Sequence, residues 1–210
     1  MRMRMGGLAG AAALAGAAVL APGQGAVSSA TETTWTVRPG GAIMATAGKT
    51  TLKDTTTDLI ETCRSSRMSG TLKGGSGLPG TGIGSITAAA YDCTIPVGTI
   101  KLTPRGLPWH LNVVSYDAAT GVSRGTITHL ELALSSSACS AMVNGTSGPA
   151  ADGMVAVSYA NKTGKLNIHP AGGNLHWVHV SGCAGLVGNG HPATISAAYA
   201  LSPQQTISSP

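Results

Sequence analysis

Cysteine, histidine, serine and tryptophan are the residue types in this 210-residue sequence whose placement could do chemistry. The cysteines are Cys63, Cys93, Cys139 and Cys183. A thiolate metal site needs close pairs such as Cys-x-x-Cys, and here the nearest two are 30 positions apart. Two disulfides are therefore expected, with three connectivities open to them. The surroundings favour Cys63–Cys93 and Cys139–Cys183. In each half one cysteine leads into an extended segment (Met68–Lys73, Ala141–Thr146), and the other closes a later one (Ile86–Tyr91, Trp177–Val180).

Histidines gather at His169, His176 and His179, with His191 further on. The odd spacing of His176 and His179 sends them to opposite faces of a strand unless a bulge intervenes, so one strand does not offer both to one ion. His169 and His176 could meet across neighbouring strands. No metal or cofactor is assigned; His176 and His179 stand as candidate ligand contacts, set against plain solvated histidines. Trp109 follows Leu107-Pro108 and Trp177 sits inside an alternating segment, which marks both as core residues. Trp35 is less constrained and is a candidate stacking platform for a sugar.

Short motifs test poorly against their structural context. Gly121-Val-Ser123-Arg-Gly125 fits a nucleophile elbow, but that device needs a strand-to-helix turn, and Ser123 opens the return strand of a hairpin. Gly75–Gly80 fits a dinucleotide-binding glycine pattern, with a proline inside it and no helix after it. Leu78-Pro-Gly-Thr-Gly82 has the letters of a wall-sorting signal, but it lies mid-chain, with no apolar stretch and basic tail behind it. The eight acidic residues offer no evident glycosidase pair.

The elements that must position these residues are short strands. Segments with period-two patterning recur between Gly, Pro, Asn and Asp: 33–37, 42–47, 84–91, 99–103, 109–116, 125–134, 154–159, 165–169, 175–180 and 193–201. Two hairpins turn through Asp117–Gly121 and Asn161–Gly164, while 74–84 reads as a flexible loop. No segment after Ala21 sustains a helical period, and Ile127–Leu134 comes nearest. The expectation is an all-β fold, an antiparallel β-sandwich or partly closed β-barrel stapled by two disulfides. The matching cysteine units suggest a faint duplication, residues 50–117 and 125–201.

Arg2 and Arg4 precede an uncharged Ala/Gly/Leu/Val run broken at Pro22-Gly23, with small residues Ser28 and Ala30 beyond it. That is the layout of a secretory signal peptide over residues 1–30, leaving 31–210 as a single secreted domain. With 30 glycines, no phenylalanine, 3% aromatic and 10% charged residues, the chain is poor in material for a thick core. Disulfides compensate for that in an oxidising location. Without Arg2 and Arg4 the net charge falls from +5 to +3, and it is scattered rather than striped, which argues against nucleic acid and allows at most a loose attraction to an anionic cell envelope.

Trp35-Thr-Val-Arg-Pro-Gly-Gly41, Thr46-Ala-Gly-Lys-Thr-Thr-Leu52, Gly70-Thr-Leu-Lys73, Gly80-Thr-Gly-Ile-Gly-Ser-Ile86, Gly106-Leu-Pro-Trp-His-Leu-Asn112 and Val180-Ser-Gly-Cys183 resemble a group of small secreted proteins of actinobacteria. The resemblance spans most of the mature chain and implies an exported bacterial protein. It brings no catalytic residue, and it makes the glycosylation sequons at Asn144 and Asn161 irrelevant. The sequence thus points to a secreted, non-catalytic module that binds or builds at the cell surface. An envelope component or polysaccharide is its expected partner, and an extracellular hydrolase using Ser123 or a histidine-held metal is the alternative.

Overall fold

Threonine, valine and isoleucine favour extended backbone, and the chain holds few of the Glu and Lys residues that favour helix. A computed structural model describes residues 33–95 and 98–210, and the expected signal peptide over 1–30 lies outside them. The strands in order are β1 (Thr34–Arg38), β2 (Gly41–Ala47), β3 (Thr50–Asp54), β4 (Ile60–Leu72), β5 (Gly75–Pro79), β6 (Gly84–Ile95), β7 (Gly98–Thr99) and β8 (Lys101–Arg105). They continue as β9 (Trp109–Asp117), β10 (Val122–Ser135), β11 (Ser140–Asn144), β12 (Gly153–Ala160), β13 (Lys165–His169), β14 (His176–Ser181), β15 (Ala193–Ser202) and β16 (Thr206–Ser208). No helix occurs among the described residues.

The pairing runs β12-β13-β15-β2-β4-β6-β9-β10 and returns to β12. This is a ring of eight antiparallel strands, a partly closed barrel. Two of its seams, β15–β2 and β6–β9, are only three residue pairs long. β3 continues the lane of β2: Thr46 faces Arg67 and Thr50 faces Cys63, the same register on β4. β10 outgrows the ring. Its first part pairs with β9 and β12, and its last residues, Glu131–Ser135, leave them to pair with β8 and β11. β14 then adds to β11, so a flanking sheet β8-β10-β11-β14 stands beside the barrel.

A third sheet, β16-β1-β5, joins opposite ends of the chain, with Thr36 facing Ser208 and Trp35 facing Leu78. This corrects the reading of 74–84 as a loop, because Gly75–Pro79 is a strand on β1. The reason lies at Gly80. A Cβ there would come within 2.3 Å of the Val113 carbonyl and 2.7 Å of Trp35 Nε1, so a bare backbone lets the segment lie against the indole. β16 is held on its other side by side chains. Asn161 donates to the Ile207 carbonyl (2.9 Å) and accepts from its N–H (2.9 Å), and Ser123 Oγ donates to the same carbonyl (3.0 Å). Gln205, itself buried, exchanges two hydrogen bonds with the Tyr159 hydroxyl.

All three tryptophans are buried, with Trp35, Trp109 and Trp177 at 2%, 1% and 0% exposure. Around them sit mainly Leu, Ile and Val from alternate strand positions. The disulfides are Cys63–Cys93, across directly paired residues of β4 and β6, and Cys139–Cys183, tying the start of β11 to the loop after β14. On the chain-entropy account, the double variant Cys139→Ser/Cys183→Ser is expected to lose about 4 kcal/mol of unfolding free energy, from a closed loop 44 residues in span. Urea unfolding of variant and parent checks it.

Candidate functional site

Strand β4 alternates regularly where it begins, but with an acid on its buried face. Side-chain polarity alone would turn Ile60 inward and Glu61 outward, yet Ile60 is 55% exposed and Glu61 only 8%. Cys63 is fully buried on the same face as Glu61 and fixes this phase through its bond to Cys93. Glu61 thereby walls a cavity of about 230 Å³ between the ring and the flanking sheet. Its other walls are Leu59, Ile100 and Leu134, the Cys139–Cys183 bridge, Trp177 from β14, and Leu186 and Val187 from the loop beyond. Among the described residues, no lysine, arginine or histidine lines it.

Two buried side-chain atoms have no hydrogen-bond partner among the described residues, Glu61 Oε2 and Trp177 Nε1. Both residues line this one cavity. An unpaired buried polar atom costs about 1–3 kcal/mol, so two on one apolar chamber constitute a local sacrifice of stability. Burial also pushes the Glu61 carboxyl above its ordinary value. Ser136 and Ser137 add hydroxyls at the wall and the rest is mostly apolar, which is the make-up of a site that takes an apolar body and orients it by a few polar groups.

The histidines are brought together differently from the strict alternation. A register shift on β14, between the pairs Ser140–Ser181 and Met142–Val178, inserts an extra residue, and His179 takes φ +54°. That bulge sets His176 and His179 around one open groove of about 440 Å³, with Thr146, Ser147 and Asn189. His176 Nδ1 donates to the Asn174 carbonyl at 2.8 Å, which leaves Nε2 with its lone pair in the neutral ring. No group of three or more His, Cys, Asp or Glu among the described residues is placed to hold a metal ion. His169 shares a smaller cavity with His176, and its Nε2 lies 2.8 Å from Ser158 Oγ.

Other candidates are taken up by the fold. Trp35, the candidate sugar platform, is packed in the core, because β1 lies between β5 and β16 and its indole rests against Gly80; it has no face to stack on a ligand. Ser123 is 1% exposed and its hydroxyl serves the Ile207 carbonyl, so it meets no solvent nucleophilically. The sequon asparagines pin loops: Asn144 Oδ1 accepts from the N–H groups of Gly145, Asp152 and Gly153, and Asn161 holds β16. Glu61 and the Trp177 N–H escaped the sequence reading. The signal for Glu61 was its two-residue offset from Cys63, which placed an acid on the inward face.

No family model, no curated protein and no solved structure matches this chain.

A second buried acid behaves in the opposite sense to Glu61. Burial raises the Asp54 carboxyl, but the Thr57 N–H, the His191 ring at 2.9 Å and the Thr56 N–H outweigh it and leave the acid below its ordinary value of 3.8. A lowered acid stabilises the fold above its unfolded value, and that contribution is lost as the pH falls through its folded value. A raised acid penalises the fold as the pH climbs from its unfolded value, 4.5 for Glu61, through the folded one. Asp54→Asn should therefore cost about 2 kcal/mol at pH 7, a deficit that shrinks in acid. Glu61→Gln should gain on the parent between pH 4.5 and 7. Denaturant melts across that range check both signs.

Proposed function

We propose that this chain is an exported, non-catalytic binding module that holds a small, mostly apolar molecule in the cavity between its barrel and its flanking sheet. The observation that carries this is that Glu61 and Trp177, each with a buried and unpartnered polar atom, both stand in the wall of one largely apolar chamber. A core built for stability alone would place leucine at position 61, since a lone buried acid is among the costliest residues to hold. Export accords with the leader-like first thirty residues, and with both disulfides, which persist in oxidising compartments. The likeness of six segments to secreted actinobacterial proteins supports a bacterial envelope or its surroundings as the place of action.

The rival readings find less support. A hydrolase built on Ser123 would need that hydroxyl free, and it is committed to the tail strand. A polysaccharide binder would rely on exposed aromatic faces, and the tryptophans are interior. The groove of His176 and His179 is the surface that remains for a polar envelope component, and it is separate from the chamber apart from their common strand, β14.

A cavity of 150 Å³ lined by aliphatic side chains is enough to admit benzene, so this larger one should do so. Benzene is expected to shift the indole N–H resonance of Trp177 in a saturable way and leave those of Trp35 and Trp109 in place. Ala138→Trp, at an exposed position on the rim, should weaken that binding at least tenfold with the fold unchanged. A Trp177 signal indifferent to benzene would remove the basis of the proposal.

A further inference from the structure

We infer that His110 and His129 form a surface site for a divalent transition-metal ion, copper(II) foremost, on the outer face of the ring. The site is independent of the chamber, which neither residue lines.

A bulge makes the pair. On β9, Trp109 and Leu111 are buried, so His110 between them takes the outer face, and Thr128 stands opposite it on β10. Strict alternation after Thr128 would send His129 inward. The register of β10 against β12 shifts between Thr128 and Leu130, however, and leaves His129 over. With φ at +63° its side chain comes out to solvent beside His110. The two ring centroids are 4.8 Å apart, with the ring planes at 60°. A left-handed backbone at a residue other than glycine persists only where the surroundings impose it, and such positions gather at functional sites. What this one delivers is a second imidazole.

The separation suits a shared ion. A transition ion about 2.0 Å from an imidazole nitrogen lies about 3.2 Å from that ring's centroid, so two rings on one ion have centroids about 4.5 Å apart at right-angled coordination and about 5.2 Å apart at the tetrahedral angle. The observed 4.8 Å falls between those limits. His129 Nδ1 lies 3.3 Å from Thr128 Oγ1, and as the donor there it leaves Nε2 with a lone pair for the ion. Thr128 Oγ1 also accepts from Asn112 Nδ2 at 3.3 Å, and Asn112 Oδ1 accepts from the Gly82 N–H at 2.8 Å. That chain is the outer support by which a ligating histidine is oriented.

The donor set chooses the ion. Calcium and magnesium require several oxygen ligands, and this pair offers nitrogen. Copper(I) favours thiolate, and all four cysteines are in disulfides. Imidazole suits copper(II), nickel(II) and zinc(II), and for given ligands copper(II) is held most tightly. Among the described residues no third His, Cys, Asp or Glu joins the pair, so water completes the coordination and the ion stays open to a further ligand.

The test titrates the disulfide-bonded protein, purified without a polyhistidine tag, with copper(II), zinc(II) and calcium(II) in a weakly coordinating buffer. Calorimetry reads affinity, and electron paramagnetic resonance reads the nitrogen ligands of copper(II). The expected result is one copper(II) per chain on two imidazole nitrogens, zinc(II) at least tenfold weaker, and no binding of calcium(II). His110→Gln and His129→Asn should each weaken copper(II) at least tenfold and abolish the two-nitrogen signature. Asparagine is chosen at position 129 because it tolerates the left-handed backbone. Indole N–H resonances of the three tryptophans, matching the parent's in the metal-free variants, show an intact fold. The double variant His176→Gln/His179→Gln should bind copper(II) as the parent does. Parent-like affinity in His129→Asn would overturn the inference, and so would a loss confined to the His176/His179 variant, which puts the ion in their groove instead. No binding of copper(II) by the parent would reduce His110 and His129 to an edge contact between two rings.

Discussion

One strand belongs to two sheets, and the molecule's other features depend on that sharing. β10 lends its first part to the ring, between β9 and β12, and its last residues to the flank, between β8 and β11. The handover occurs at His129, where the chain bulges with φ +63°. Backbone groups that leave one pair of partners at the handover find another pair beyond it. Because the flank grows from the ring's own strand, it stands close enough to form a second wall. The chamber is the space left between them, with Leu134 of β10 on its lining.

The same bulges mark where the sequence could and could not be read. Period-two patterning located most of the ring, and both hairpins lie where Gly121 and Gly164 supply positive φ. Ile127–Leu134 had the nearest approach to a helical period because the bulge at His129 spaces the buried Ile127 and Leu130 three positions apart. An extra residue in a strand imitates a turn of helix when only apolar spacing is counted. His176 and His179 show the complementary case, in which strict alternation separates two side chains that one inserted residue brings to a common groove. The flexible reading of 74–84 followed from its glycines, and it missed that a bare backbone at Gly80 is what the Trp35 indole packs against.

Cysteine pairing was favoured correctly because each pair brackets segments that lie side by side; Cys63 and Cys93 are directly opposed across β4 and β6. Tryptophan placement was legible for Trp109 and Trp177 but not for Trp35, whose cover comes from β5 and β16, two short strands without patterning of their own. The chamber was hidden for a related reason. An acid at position 61 looks like any surface acid until its phase relative to Cys63 is known, and the other wall residue with an unpartnered polar atom lies 116 positions away. Polar residues that resemble functional motifs, Ser123, Asn144 and Asn161, are fasteners for loops and for the tail. In a chain with so few large apolar groups, short polar side chains do much of the joining.

The pairing of β1 with β16 carries a consequence for the timing of assembly. Residues 34–38 cannot complete their sheet until residues 206–208 exist, and Ser123, Tyr159 and Asn161 wait on the same segment. A ribosome-bound fragment therefore has a ragged seam and several orphaned polar groups, however much of the ring it has formed. Such long-separation closure is slow, and it defers the final lock until residues 206–208 have been made. The polypeptide stays threadable for as long as its last strand is missing.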